Sequence, residues 1–177
     1  IRQTGALLVE DAAAKYFLLA LLLLVARELR AQFEVVVAGS DGEIDAALRA
    51  MPRTGKWLTL VGVYDGDARE GNREGVNWPI AYLPSEHSPE RLVLPVVNNP
   101  ARAPELAIAF TRNEADILDA LDGAYGRDGH DWWYEFARRL GIQHETLWLG
   151  FARVWLAQGA NRTIAETFIE ELEVALG

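Results

Sequence analysis

Three short apolar runs, each closing on a polar or acidic end, set the limits on what this chain can fold into. They are Ala6-Leu7-Leu8-Val9 before Glu10, Phe33 to Ala38 before Gly39-Ser40-Asp41, and Trp57 to Tyr64 before Asp65. Their apolar residues run nearly unbroken instead of alternating, which suits strands covered on both faces. Between them the pattern changes. Ala12 to Arg30 is rich in Ala and Leu and holds no Gly or Pro, so it predicts a helix. Glu43 to Ala50 predicts a shorter helix, stopped by Pro52, with Ser40 or Asp41 available as its N-cap. Strand, helix, strand, helix, strand is the order of a parallel α/β sheet with crossover helices. Trp78 to Leu83 supplies a fourth strand, giving a sheet of about four. In such sheets ligands collect outside the carboxyl ends of the strands. All three polar ends therefore belong on one edge.

The second half has a different character. Ser88-Pro89-Glu90 has the form of a helix start, with Pro at the first position. Pro95 and Asn98-Asn99-Pro100 are expected to break the helix begun there. Helices are then expected over Pro104 to Leu121, Asp131 to Leu140, His144 to Ala157 and Thr163 to Leu176, the last with Thr163 and Glu166 at capping-box spacing. The expected division is an α/β domain over 1–100 followed by an all-helical C-terminal extension over 101–177. Trp132, Trp133, Trp148 and Trp155 are spaced to form one aromatic core among these helices, or to cover a subunit interface.

The chain has 177 residues and no cysteine, which excludes disulfides and thiolate metal sites and fits a reducing, cytoplasmic setting. Its longest apolar run, Tyr16 to Ala26, is too short for a bilayer, where about 20 residues are needed; no membrane partner is expected. The first residue is Ile1 and a strand comes at once, so the chain is expected to be a fragment of a longer protein. The net charge is −9, from 17 basic and 26 acidic residues. That balance argues against tight nucleic-acid binding by this chain alone, because phosphate contacts draw on Lys and Arg. Arg69, Arg73 and Arg91 form a loose local group after the third strand and are the candidate substrate-binding cations.

Asp65-Gly66-Asp67 ends the third strand with two carboxylates on roughly one side, and Gly66 lets the chain leave sharply. Paired buried carboxylates repel and cost free energy unless a cation or donor compensates. The natural compensation for oxygen ligands is a hard divalent ion such as Mg²⁺. Asp-Gly-Asp is also an ordinary turn sequence. Glu10, at the end of a strand that can lie alongside, tips the reading toward a cation site. Three carboxylates from two strand ends can hold one or two ions, and two ions about 4 Å apart serve in-line phosphoryl displacement.

On these residues the chain resembles a Toprim domain. The resemblance rests on Leu7-Leu8-Val9-Glu10 with a helix after it and on the strand ending in Asp65-Gly66-Asp67, and it covers about Ala6 to Glu90. The later helices are similar to the C-terminal region of OLD-family nucleases, which come after an ABC-type ATPase. The resemblance implies a Mg²⁺- or Mn²⁺-dependent DNA endonuclease, a role in anti-phage defence, an N-terminal ATPase outside this chain, and a homodimer or partner subunit. It implies Glu10, Asp65 and Asp67 as catalytic residues. As metal ligands it implies the same three with Asp11 and a further acid after the fourth strand, Glu90 in preference to Glu86. Departures are plain: Asp11 stands where many members have Gly, Ala14 where an acid is frequent, and no lysine comes after Lys56, leaving Arg91 or Arg102 as substitutes.

Other motifs are weaker. Gly55-Lys56 lacks the first glycine of a phosphate loop, and Lys56 is expected to be a solvated charge. His87 beside Glu86 is expected to be a loop histidine without a role, His144 to be structural, and Asp128-Gly129-His130-Asp131 to be a helix cap ahead of packing aromatics. Two rival readings stand beside the nuclease: a non-catalytic Toprim-like scaffold, and a receiver domain with Asp65 as phosphoacceptor. The receiver would need a lysine after a later strand and continued alternation, and the sequence has neither.

Overall fold

A computed structural model describes residues 5–53, 58–127 and 129–177. Strands β1 (Gly5–Val9), β2 (Phe33–Val37), β3 (Thr59–Tyr64) and β4 (Ile80–Tyr82) form one sheet in the order β2-β1-β3-β4, every neighbour parallel. The expected α/β architecture, a parallel four-stranded sheet flanked by helices and followed by helices, is the observed one. Leu7 lies opposite Val35 on one side and Val61 on the other, so the three form a row across the sheet. That row, with Val9 and Val63, is buried on the face that carries α1 (Ala12–Val25). The opposite face is covered by α3 (Asp41–Ala50), whose Ile44 and Leu48 pack with Leu60 and Tyr64. β3 is thus covered on both sides, as its unbroken apolar run requires. Ser40 is the cap of α3, its hydroxyl accepting from the Glu43 N–H at 3.2 Å.

The apolar run of α1 is explained by its place. One side meets the sheet, and another meets α8 (His144–Leu156), so Phe17, Leu18, Leu21 and Leu22 are fully buried. The four tryptophans expected to share a core are all buried, and Phe17 joins them, edge-on to Trp148 at 6.1 Å and to Trp155 at 5.7 Å between ring centroids. One hydrophobic cluster therefore runs from the sheet through α1 into the last helices.

Several expected elements differ. The helix expected over Ala12 to Arg30 is two, α1 and α2 (Arg27–Gln32), parted at Ala26, whose backbone (φ −142°, ψ 61°) leaves the helical region. The bend returns Leu29 and Phe33 to buried positions beside α1. Pro95 does not break its helix. It lies inside α4 (Pro89–Val97) with its ring exposed, and the Asn98 N–H still closes the last turn on Leu94. The helix expected over Pro104 to Leu121 is also two, α5 (Ala103–Phe110) and α6 (Glu114–Ala124). Thr111 takes a left-handed φ of 54° and ends the first, and the Asn113 side chain caps the second by accepting from the Asp116 N–H at 2.8 Å. The capping box at Thr163 and Glu166 is not used, because α9 (Asn161–Leu176) starts earlier and holds both inside. α7 (Trp132–Leu140) and α8 agree with expectation to within a residue. Lys56, Trp57 and Asp128 lie outside the described residues. Among the described residues no strand comes after Tyr82, and no helix is long and apolar enough to cross a membrane.

Candidate metal centre

The sheet brings its polar ends together by backbone ties. Past β1 and β2, the Gly39 N–H donates to the Glu10 carbonyl at 2.9 Å. Past β1 and β3, the Asp65 N–H donates to Glu10 Oε1 at 2.8 Å. Past β3 and β4, the Leu83 N–H donates to the Tyr64 carbonyl at 2.8 Å. Glu10 and Asp65, separated by 55 positions, are therefore in direct contact.

Gly66 has a specific reason. A Cβ at this position would lie 2.1 Å from the Ser85 carbonyl oxygen, so only glycine lets the chain beyond β4 cross so close to Asp65. That crossing segment is itself strained at Ser85, which holds a φ of 77°. It delivers Glu90 in the first turn of α4, where the carboxylate is 1% exposed.

The centre of the group is Asp65, 5% exposed, with Oδ1 buried and without a hydrogen-bond partner. Burial first, then the charges of Glu10, Asp11, Glu90 and Asp67, push its carboxyl up to about 9. Burial also raises Glu10, against the pull of the Asp65 N–H, with Asp41, Asp67 and Asp11 adding to the rise. Glu90 is raised by burial too, and its Oε2 is buried without a partner. Among the described residues no lysine or arginine forms an ion pair with Glu10, Asp11, Asp65, Asp67 or Glu90.

The other expected ligands stand at the rim. Asp11 is half-buried and caps α1, its Oδ1 accepting from the Ala14 N–H at 2.8 Å. Asp67 is exposed in the first turn of a short 3-10 helix over Gly66–Glu70. Glu86 and His87 are exposed. Among the described residues, no group of three or more His, Cys, Asp and Glu side chains is arranged to hold a metal ion as it stands.

The three expected substrate arginines are dispersed. Arg73 points to the α3 side. It pairs with Asp45 at 3.5 Å and Asp41 at 3.7 Å, and its guanidinium lies 4.2 Å over the Tyr64 ring. Arg69 lies over the Tyr82 ring at 5.0 Å and donates to the Leu83 carbonyl. Arg91 is exposed on α4, against Gly129. Arg102 pairs with Glu105 at 2.6 Å.

Sequence reasoning placed His130 in a helix cap and missed its contact with Glu90. Its Nδ1 is in close contact with Glu90 Oε1, so the loop before α7 closes over the buried acid. The partners are 40 positions apart and no motif spacing joins them. A second omission was Glu135, a buried acid held by Arg138 and Arg139 at 2.7 and 2.8 Å, with Arg127 at 3.9 Å. Its spacing to Arg138 and Arg139, i+3 and i+4, was the available signal.

No family model matches the chain, and no curated protein matches it. Among solved structures it is similar to the C-terminal region of the Xanthomonas campestris pv. campestris OLD protein, with 14% identity over 97% of this chain and 98% of that one, at a TM-score of 0.41.

Proposed function

We propose that the carboxyl edge of the sheet binds one or two divalent cations, Mg²⁺ or Mn²⁺, and hydrolyses phosphodiester bonds in DNA, as the nuclease part of a longer ATPase-linked protein. The observation that carries this reading is Asp65: a buried carboxylate with an unpartnered oxygen, surrounded among the described residues by four acids and no guanidinium. A folded chain keeps such an uncompensated acid at a cost in stability, which suits a group whose partner arrives from outside. The donor set is all oxygen, the preference of hard cations. Asp65, Glu10 and Glu90 would hold the ion, with Asp67 and Asp11 at the rim. Mg²⁺ is typically bound by one or two carboxylates together with water and substrate phosphate, so it does not require a preformed cage. Bound there, the cation supplies Lewis-acid polarisation of the phosphoryl group and acidifies water.

The chain's own residues do the rest. Glu10, anchored by the Asp65 N–H, is held where it would take a proton from water or return one to the leaving oxygen. The His130 contact holds Glu90 in place at the start of α4. Arg91, exposed on the same helix as Glu90, would meet substrate phosphate.

The test is cleavage of supercoiled and linear DNA in Mg²⁺ or Mn²⁺, with cation binding followed by calorimetry, for wild type, Asp65→Asn and Glu10→Gln. Cation binding that Asp65→Asn removes, together with cleavage that both variants lose, supports the reading. Failure of the wild type to bind either ion or to cut in its full-length context would sink it. A non-catalytic scaffold is the second reading; the use of Asp11 as a helix cap and the exposure of Asp67 favour it. Cation binding without cleavage would select it.

A further inference from the structure

After β3 the chain passes through the 3-10 helix over Gly66–Glu70, which carries Asp67, and then returns an arginine to it. Arg73 Nη2 donates to the Ala68 carbonyl at 3.1 Å, one residue beyond Asp67. The Arg73 side chain is only 10% exposed, and three surfaces enclose its guanidinium. Buried Asp45 on α3 has its Oδ1 3.5 Å from Nε. The Tyr64 ring lies 4.2 Å away, and the Tyr64 hydroxyl donates to the same Asp45 Oδ1 at 2.6 Å, so α3 and β3 hold the guanidinium jointly. Gly71 forms the third side: a Cβ there would lie 2.2 Å from Arg73 Nη1.

The turn has need of such a hold. A 3-10 helix has poorer hydrogen-bond geometry than an α-helix and is weak on its own. The Ala68 N–H donates to the Asp65 carbonyl and the Gly71 N–H to the Ala68 carbonyl, both at 3.1 Å. Asp65, at the N-cap, gives the turn no side-chain bond. Asp67 is exposed, so its backbone decides where its carboxylate stands. That carboxylate stands close enough to the acidic edge for its charge to be felt at Asp65 and Glu10. On its other side the turn is tied to the end of β4, where Arg69 donates to the Leu83 carbonyl at 3.4 Å.

We propose that Arg73 is a positioning residue for the cation site: anchored on Asp45 and Tyr64, it holds the Ala68 carbonyl and so fixes Asp67 at the strand edge. The proposal rests on the cation reading of that edge and adds to it the residue that sets one rim ligand. Arginine suits the task because one planar guanidinium can stack on a ring, pair with a carboxylate and donate to a carbonyl together. A lysine ammonium is a point charge without a flat face. The alternative is an ion pair that joins α3 to β3 and matters to stability alone. The two differ in what Arg73 does once Asp67 is gone.

The experiment measures Mn²⁺ binding by calorimetry on the full-length protein as wild type, Arg73→Met, Asp67→Asn and the double variant. Arg73→Met should weaken binding about tenfold, as loss of a supporting group outside the ligand set typically does. In the Asp67→Asn background the same substitution should change affinity by less than about twofold, because the ligand it positions is already lost. Gly71→Ala keeps the charge and displaces the guanidinium, so it should weaken binding as Arg73→Met does; it also carries the test if Arg73→Met does not fold. Hydrogen exchange of the cation-free protein gives a readout without metal: amides of residues 66–71 should exchange about tenfold faster in either variant, with those of β1 unchanged. Equal weakening by Arg73→Met with and without Asp67, or unchanged affinity in both Arg73→Met and Gly71→Ala, would overturn the proposal and leave the cation reading intact. Wild type that binds no Mn²⁺, with faster exchange at 66–71 in the variants, would instead remove the cation reading and keep Arg73 as the brace of the turn.

Discussion

Asp65 and Glu135 are both buried acids, and the chain treats them in opposite ways. Glu135 receives three guanidiniums, which hold its carboxyl down to about 2. Asp65 receives none among the described residues and is pushed up to about 9 by burial and like charge. The protein has fifteen arginines to distribute and two lysines, and Arg73, only eight positions from Asp65, is spent on Asp45 and Asp41 on the far face of the sheet. A carboxylate completed by the fold is a structural joint. The one left incomplete, with other acids gathered around it at the strand ends, is where the proposed cation would sit.

The strongest way to break this contrast is Asp65→Asn. Cleavage should fall on the order of 10³-fold, the equivalent of several kcal/mol of lost charge stabilisation. Stability of the cation-free protein near pH 8 should rise by about 1–3 kcal/mol in denaturant titrations, because folding forces the Asp65 carboxyl to take up a proton against its ordinary pKa and an amide escapes that cost. A drop in both quantities would mean that Asp65 is merely structural.

Gly66→Ala comes next. Its Cβ would meet the Ser85 carbonyl, so the crossing segment must move and carry Glu90 with it. Expected are a loss of about 1–3 kcal/mol and weaker cation binding by calorimetry. Unchanged cation binding would show that Glu90 is not a ligand.

Opposite pH dependences sharpen the comparison further. The Asp65 pKa is raised on folding, so its contribution to cation-free stability is present below about pH 4 and is lost as pH rises toward about 9. The Glu135 pKa is depressed, so its contribution is present above about pH 4.5 and is lost as pH falls toward about 2. Asp65→Asn should flatten the alkaline limb of a stability–pH profile, and Glu135→Gln the acid limb. Added Mg²⁺ should stabilise wild type more as pH rises, since it binds the ionised form. The smallest effect is at Ser85: Ser85→Gly relieves a positive φ and should gain about 0.5–1 kcal/mol in thermal unfolding, with the sign checking that the strain is real.

Range decides how much of this was legible in the chain alone. The three apolar runs and their acidic ends are local, and parallel pairing with crossovers leaves one way to gather Glu10 and Asp65 on an edge. Glu90 was legible as an acid at a helix start after the fourth strand. The partners that decide what each charge does were not legible. His130 reaches Glu90, and Arg73 reaches Asp45, through tertiary packing that no spacing records. Asp11 was read as a ligand and also serves as a cap, a use not foreseen, because the first free N–H groups of α1 draw on one of its oxygens. The splits at Ala26 and Thr111 escaped for a related reason: neither residue breaks helices by propensity, and each adopts its backbone where the chain must turn to pack.

Phe17 has a consequence for anyone who wants the sheet alone. Its ring is fully enclosed and packs on tryptophans that the chain reaches more than a hundred residues later. A fragment ending near residue 100 would leave the outer side of α1 facing water as a greasy ridge of Phe and Leu, and should be recovered as aggregate instead of a smaller folded domain. The acidic edge sits at one end of the molecule, but the right to fold is held in common by both.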